Sequence, residues 1–142
     1  MRIQEAIVRQ LQQTTTATYA LAGTRIYWAI TAKDPTLPFV RVRKAAHTPI
    51  TSGILPRRLP ATATLEIVAY AKSQDAAADL ADAITADLIS WVNADMPATS
   101  PVTAGAVRVQ GIKPGDEVDL VSEDALALNI FAESREFFVH YR

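Results

Sequence analysis

Thr62-Ala63-Thr64-Leu65-Glu66-Ile67-Val68-Ala69-Tyr70-Ala71-Lys72, followed by Ser73 and the run from Asp75 to Val92, decides the fold class of this chain. In the first part Leu65, Ile67, Ala69 and Ala71 alternate with Thr64, Glu66, Val68, Tyr70 and Lys72. A two-residue period belongs to a strand, and apolar character on both sides of it predicts a central strand covered on both faces. In the second part Leu80, Ile84 and Leu88 recur every four residues, and Ala77, Ala81 and Trp91 extend the stripe. That spacing predicts an amphipathic helix over 75–92. Ser73 suits its N-cap, and Asp75 suits the positive end of its dipole. The segment 93–100, with Pro97 and then Pro101, ends it.

On the N-terminal side, Ile3, Ile7 and Leu11, widened by Val8, predict another amphipathic helix. Thr14-Thr15-Thr16 lowers helix propensity after it, and Gly23 is a natural stop. Arg25 to Ile30 is aromatic and β-branched and reads as a short strand. Asp34 to Pro38 breaks it. Phe39 to Lys44 reads as a second strand, with Val40 and Val42 on one side and Phe39, Arg41 and Arg43 on the other. Residues 45–62 then read as a long connection carrying Pro49, Gly53, Pro56 and Pro60. Ile54, Leu55, Arg57, Arg58 and Leu59 lie in it, which makes it a candidate contact arm.

On the C-terminal side, Val107 and Val109 alternate with Arg108 and Gln110, and Lys113-Pro114-Gly115-Asp116 reads as a turn. A weak strand near 118–121 and a further strand over Leu126 to Ala132 follow. Ser134-Arg135-Glu136 reads as an interruption before a β-rich tail, Phe137 to Tyr141. Helices and strands are thus segregated rather than alternating. The expected class is α+β, an antiparallel or mixed β-sheet packed on one face by two helices, with a long loop between early strands. No linker or repeat divides the chain, so 1–142 is expected to be one domain.

The composition excludes several function classes. The chain has 142 residues, 49% hydrophobic and 20% charged, which suits a globular domain rather than a disordered one. No apolar run approaches the roughly 18–20 residues that span a bilayer. The start, MRIQEAIVRQLQQ, lacks the apolar block and cleavage site of a secretory signal. Without cysteine there is no disulfide, thiolate ligand or thiol nucleophile. His47 and His140 form no ligand pair, and no GxSxG, P-loop or GxGxxG sequence is present. Asp75, Asp79 and Asp82 share one helix side, and Asp116-Glu117 sits at the expected turn. Both groups read as acidic contact surfaces or solvated faces rather than metal sites, for want of a shaped oxygen cage. The expectation is a protein with no catalytic, cofactor-binding or metal-binding residues.

The net charge of −1 hides an asymmetry. Residues 1–60 hold nine cations against two anions, a net +7, and residues 61–142 hold five against thirteen, a net −8. Arg41, Arg43 and Lys44, with Arg57 and Arg58, read as a contact for an acidic protein surface or for nucleic acid phosphate, or as a solvated strand face and loop, and Asp79, Asp82, Asp116 and Glu117 are the candidate contact anions of the other half. A pI of about 6.1 argues against a dedicated nucleic-acid binder.

The order of landmarks resembles the tail terminator, or tail completion, proteins of long-tailed bacteriophages. These landmarks are the helix of Ile3, Ile7 and Leu11; then Gly23-Thr24-Arg25-Ile26-Tyr27; Pro38-Phe39-Val40; the loop with Thr51-Ser52-Gly53; the strand Leu65 to Ala71 running through Lys72-Ser73 into a helix that reaches Trp91; and the ending Phe137-Phe138-Val139-His140-Tyr141. The resemblance implies a virion protein, assembled in the host cytoplasm, that forms a hexameric ring of identical subunits. Such a ring caps the tail tube, stops its growth, meets the head completion or connector protein, and lets DNA through its lumen without reading its sequence. It implies no enzyme activity, no cofactor and no membrane. The basic loop around Arg57-Arg58 is not part of that pattern. Another neck ring component, such as a head completion protein or a tube subunit, and a small ligand-binding or enzymatic α+β domain are the alternatives.

Overall fold

The structure, a computed structural model, describes residues 2–28, 36–49, 61–120 and 130–142. The elements are α1 (Ile3–Leu11), α2 (Ala17–Ala22), β1 (Ile26–Tyr27), β2 (Phe39–Pro49), β3 (Ala61–Ala71), α3 (Gln74–Ile89), β4 (Val92–Met96), β5 (Val107–Leu120) and β6 (Phe131–Tyr141). The six strands form one sheet in the order β1-β2-β3-β6-β5-β4. β1 runs parallel to β2, and every other pair is antiparallel. The centre of the sheet is β3 against β6, in register from Ala61↔Tyr141 to Ala71↔Phe131. The α+β class read from the sequence is the class observed.

One apolar core holds the molecule together, and it lies on one face of the sheet. Val40 and Val42 of β2, Leu65 and Ile67 of β3, Phe137 and Val139 of β6, and Val107, Val109 and Ile112 of β5 all point into it. Ile3, Ile7 and Leu11 of α1 and Leu80, Ile84 and Leu88 of α3 close it from above. Phe137, Leu65, Leu80 and Leu88 are buried to 1% exposure or less, so truncating any of them opens a cavity worth a few kcal/mol, about 2–5. β3 is central, as expected, but the described helices cover only one of its faces.

Several local expectations need correction. The N-terminal helical segment is two helices, because Thr16 caps a new one. Its hydroxyl oxygen accepts from the Tyr19 N–H at 3.1 Å and donates to the Leu11 carbonyl at 2.8 Å. Gly23 ends α2 at φ +59°, a left-handed conformation that suits glycine. β2 runs on to Pro49 and β3 begins at Ala61, so the connection expected over 45–62 is far shorter. Residues 50–60 lie outside the described residues, and with them Ile54, Leu55, Arg57, Arg58 and Leu59.

α3 stops at Ile89, short of Val92. Its last apolar contact is Leu88, and the chain then turns at Trp91, whose N–H donates to the Leu88 carbonyl at 3.0 Å. Residues 92–96, expected as the last residue of the helix and the start of its terminating segment 93–100, instead form edge strand β4 beside β5. Lys113-Pro114-Gly115-Asp116 is no hairpin turn. It is a shift of register inside β5, between Pro114 and Glu117, where the strand bulges against β6. A Cβ on Gly115 would stand 2.9 Å from Phe138 and from the Glu136 carboxylate, so a larger residue there would displace both side chains. Nor do Ser134-Arg135-Glu136 interrupt β6, which passes straight through them. Most of the strand expected over Leu126 to Ala132 lies outside the described residues.

Candidate interaction surface

Strand alternation gives the sheet a second, outer face that the described helices leave uncovered. Because Val40 and Val42 enter the core, Phe39, Arg41 and Arg43 must point the other way. Across the ladder they stand opposite Tyr70, Val68 and Glu66 of β3. Phe39 stacks on Tyr70 with ring centres 4.5 Å apart and planes 13° from parallel, and Tyr27 tilts against Phe39 at 6.4 Å. Arg43 pairs with Glu66, and the Ser134 hydroxyl donates to the same carboxylate at 3.4 Å. Arg41, Arg43, Glu66, Val68 and Tyr70 line a shallow groove of about 120 Å³. The same face continues over Phe138 and His140 of β6, where His140 Nδ1 and the Thr62 hydroxyl are 2.9 Å apart.

The residues singled out from the sequence are therefore sorted by the fold rather than gathered. Arg41 and Arg43 share the outer face. Lys44, opposite Leu65 in the ladder, belongs to the helix side of β2, where it stays exposed. Asp79 and Asp82 lie on the exposed side of α3, with Asp75, opposite the buried stripe of Ala77, Leu80, Ala81, Ile84 and Leu88. Asp116 and Glu117 are exposed at the β5 bulge.

Asp82 and Glu117 do meet, at a residue that no periodicity or spacing singles out. Arg135 of β6 points to the helix side with its side chain only 10% exposed. Its guanidinium reaches Asp82 at 2.6 Å, Glu133 at 3.3 Å and Glu117 at 3.8 Å, and donates to the Thr85 hydroxyl at 3.0 Å. Burial works against its charge, but the Asp82 hydrogen bond and the Glu133 carboxylate outweigh burial and hold the guanidinium above its ordinary value. This cluster is why β6 can continue through Ser134-Arg135-Glu136. Asp87 is likewise structural: its carboxylate accepts from the N–H groups of Ala17 and Thr18 and from the Thr18 hydroxyl at 2.6–3.1 Å, fixing α2 to α3.

A larger cleft of about 360 Å³ lies between α1 and β1, lined by Glu5, Val8, Arg9, Gln12, Ile26, Tyr27 and Trp28. Three of its polar side chains are engaged within the protein: Glu5 pairs with Arg9 at 2.7 Å, and Gln12 donates to the carbonyls of Thr24 and Ile26. Among the described residues no group of three His, Asp or Glu side chains is placed to hold a metal, and no helix is long and apolar enough to cross a membrane. Of the outer-face aromatics Phe39 is buried, and Tyr27 and Tyr70 beside it are half-buried. The period-two pattern that places Arg41 outward also places them outward.

The molecule thus belongs to the α+β class, with one sheet face covered by helices and another that no described helix covers. No protein-family model matches the chain, and no curated protein sequence matches it. Eleven chains of solved structures do. One is a chain in the virion of a native gene transfer agent particle, with a TM-score of 0.67 and 18% identity. The match covers 98% of this chain and 93% of that one. At that identity the likeness is one of fold, from end to end.

Proposed function

We propose that this chain is a structural subunit of a phage-like virion, forming a hexameric ring that caps the tail tube. The ring ends tube polymerisation, offers the surface that joins the head, and leaves a lumen for DNA. Its partners are further copies of itself, the tube protein below and the head completion or connector protein above. Its work is assembly rather than catalysis, its place is the neck of the particle, and 1–142 acts as one domain. The observation that carries this reading is the end-to-end likeness in fold to a virion chain, 98% of this chain against 93% of the other. The landmark order from Gly23-Thr24-Arg25 to the Phe137–Tyr141 ending supports the tail terminator in particular.

Deleting the gene in a cell that makes the particle, and imaging the products by electron microscopy, tests it. The expected result is tail tubes of uncontrolled length without heads. Tails of normal length that fail to join heads would make the chain a head completion protein. Complete loss of tubes would make it a tube subunit.

A further inference from the structure

We propose that successive copies of this chain join head to tail, the acidic outer side of α3 of one copy seating in the groove on the open sheet face of the next. The inference rests on the ring reading above and names the two surfaces that meet.

Three observations carry it. First, the surfaces are complementary in charge. Arg41 is exposed at the groove and engages in no ion pair among the described residues, and Arg43 beside it keeps its side chain 61% exposed. On α3, Asp75 and Asp79 are exposed and likewise enter no ion pair among the described residues, while Asp82 serves Arg135. Second, the surfaces are complementary in shape. From Asp75 to Ala86 the outer side of α3 carries, beside its aspartates, only small residues, Ala76, half-exposed Ala83 and Ala86, which make a narrow ridge, and the exposed Ile89 extends it at the C-terminal end. Tyr70, half-buried and stacked on the buried Phe39 behind it, and Val68 give the groove an apolar wall for such a ridge. Third, the surfaces lie back to back. The groove is on the face that the core leaves free, and α3 is on the face that the core covers. One copy therefore cannot satisfy its own patches, and two copies related by a twofold axis would set like charges together. Only a head-to-tail contact uses each patch once, and repeating it builds a closed ring or a filament. Glu66 in the groove offsets one of its two arginines, and Lys113 and Glu136, also on the outer face, are opposite in sign, so the groove keeps a net positive charge.

Charge-reversed variants test this by sedimentation velocity at low salt. Arg41→Glu/Arg43→Glu and Asp75→Lys/Asp79→Lys should each remain monomeric at concentrations about tenfold above those at which the unaltered chain associates. Mixed one to one, they should associate again, because the reversed groove of one accepts the reversed helix of the other. Circular dichroism and thermal unfolding like those of the unaltered chain show that the variants fold. Association of either variant alone, a mixture that stays monomeric, an unaltered chain that never associates, or a closed twofold dimer would each overturn the proposal. An associating, charge-sensitive chain whose deletion leaves tube length normal would reject the cap and keep the contact.

Discussion

Arg135 shows how one side chain can be both a cost and a tie. Its guanidinium is nearly buried, which is unfavourable, yet it neutralises Glu133, whose side chain is 8% exposed, and ties β6 to α3 through Asp82. Removing the arginine alone leaves Glu133 buried with no counter-charge, whereas removing both charges does not. We expect Arg135→Met to lose about 3–5 kcal/mol in urea unfolding and Glu133→Gln/Arg135→Met to lose clearly less. Asp82→Asn, at a position whose side chain is 67% exposed, should cost only about 1 kcal/mol or less. Equal losses for the single and double variants would show that the pair does not act as a unit.

Elements are joined in this fold by caps as much as by apolar stripes. α2 has only six residues, too few to be stable alone. It persists because Thr16 caps it from within and Asp87 of α3 accepts three hydrogen bonds at its N-terminus. A carboxylate there also meets the positive end of the helix dipole. Asp87→Ala should therefore destabilise the protein by about 1.5–3 kcal/mol, the range for hydrogen bonds to a charged group. Hydrogen exchange should show the amides of 17–23 opening first. Exchange that rises uniformly over the chain would mean that α2 does not depend on this tie. The strand and helix of 61–89 were legible in sequence because their periodicity is long and regular. β4 and the β5 bulge were not, since five residues of edge strand and a Pro-Gly pair carry the same local signals as loop and turn. Only pairing with β5 and β6 separates those readings.

For the whole molecule, closure of the sheet around its last strand makes stability sensitive to alkali. Burial pushes the Tyr141 hydroxyl above its ordinary value of 10.0, because the folded chain disfavours the phenolate. The unfolded chain loses this proton first as the pH rises. The contribution is therefore full below the unfolded value and is lost as the pH climbs through the folded one. We expect the urea midpoint to fall between about pH 9 and pH 11, and Tyr141→Phe to reduce that slope. An unchanged slope would assign the loss to other groups. The charge asymmetry also takes its meaning only at this scale. In sequence it was a net +7 against a net −8. In space part of the acid is spent inside the protein, Asp82 and Glu117 on Arg135 and Asp87 on α2, and Lys44 parts company from Arg41 and Arg43.

By itself the sequence determined the α+β class, the central strand, the two amphipathic stripes and the outward position of Arg41 and Arg43. All of these follow from periodicity, which local geometry converts directly into a face. The tertiary structure alone decided which charges remain free for a partner. Whether a carboxylate neutralises a buried guanidinium or faces solvent depends on a residue about fifty positions away, as Asp82 and Arg135 show. It also decided that the aromatic row of Tyr27, Phe39 and Tyr70 lies on the open face beside those arginines, because only strand pairing brings β1, β2 and β3 side by side.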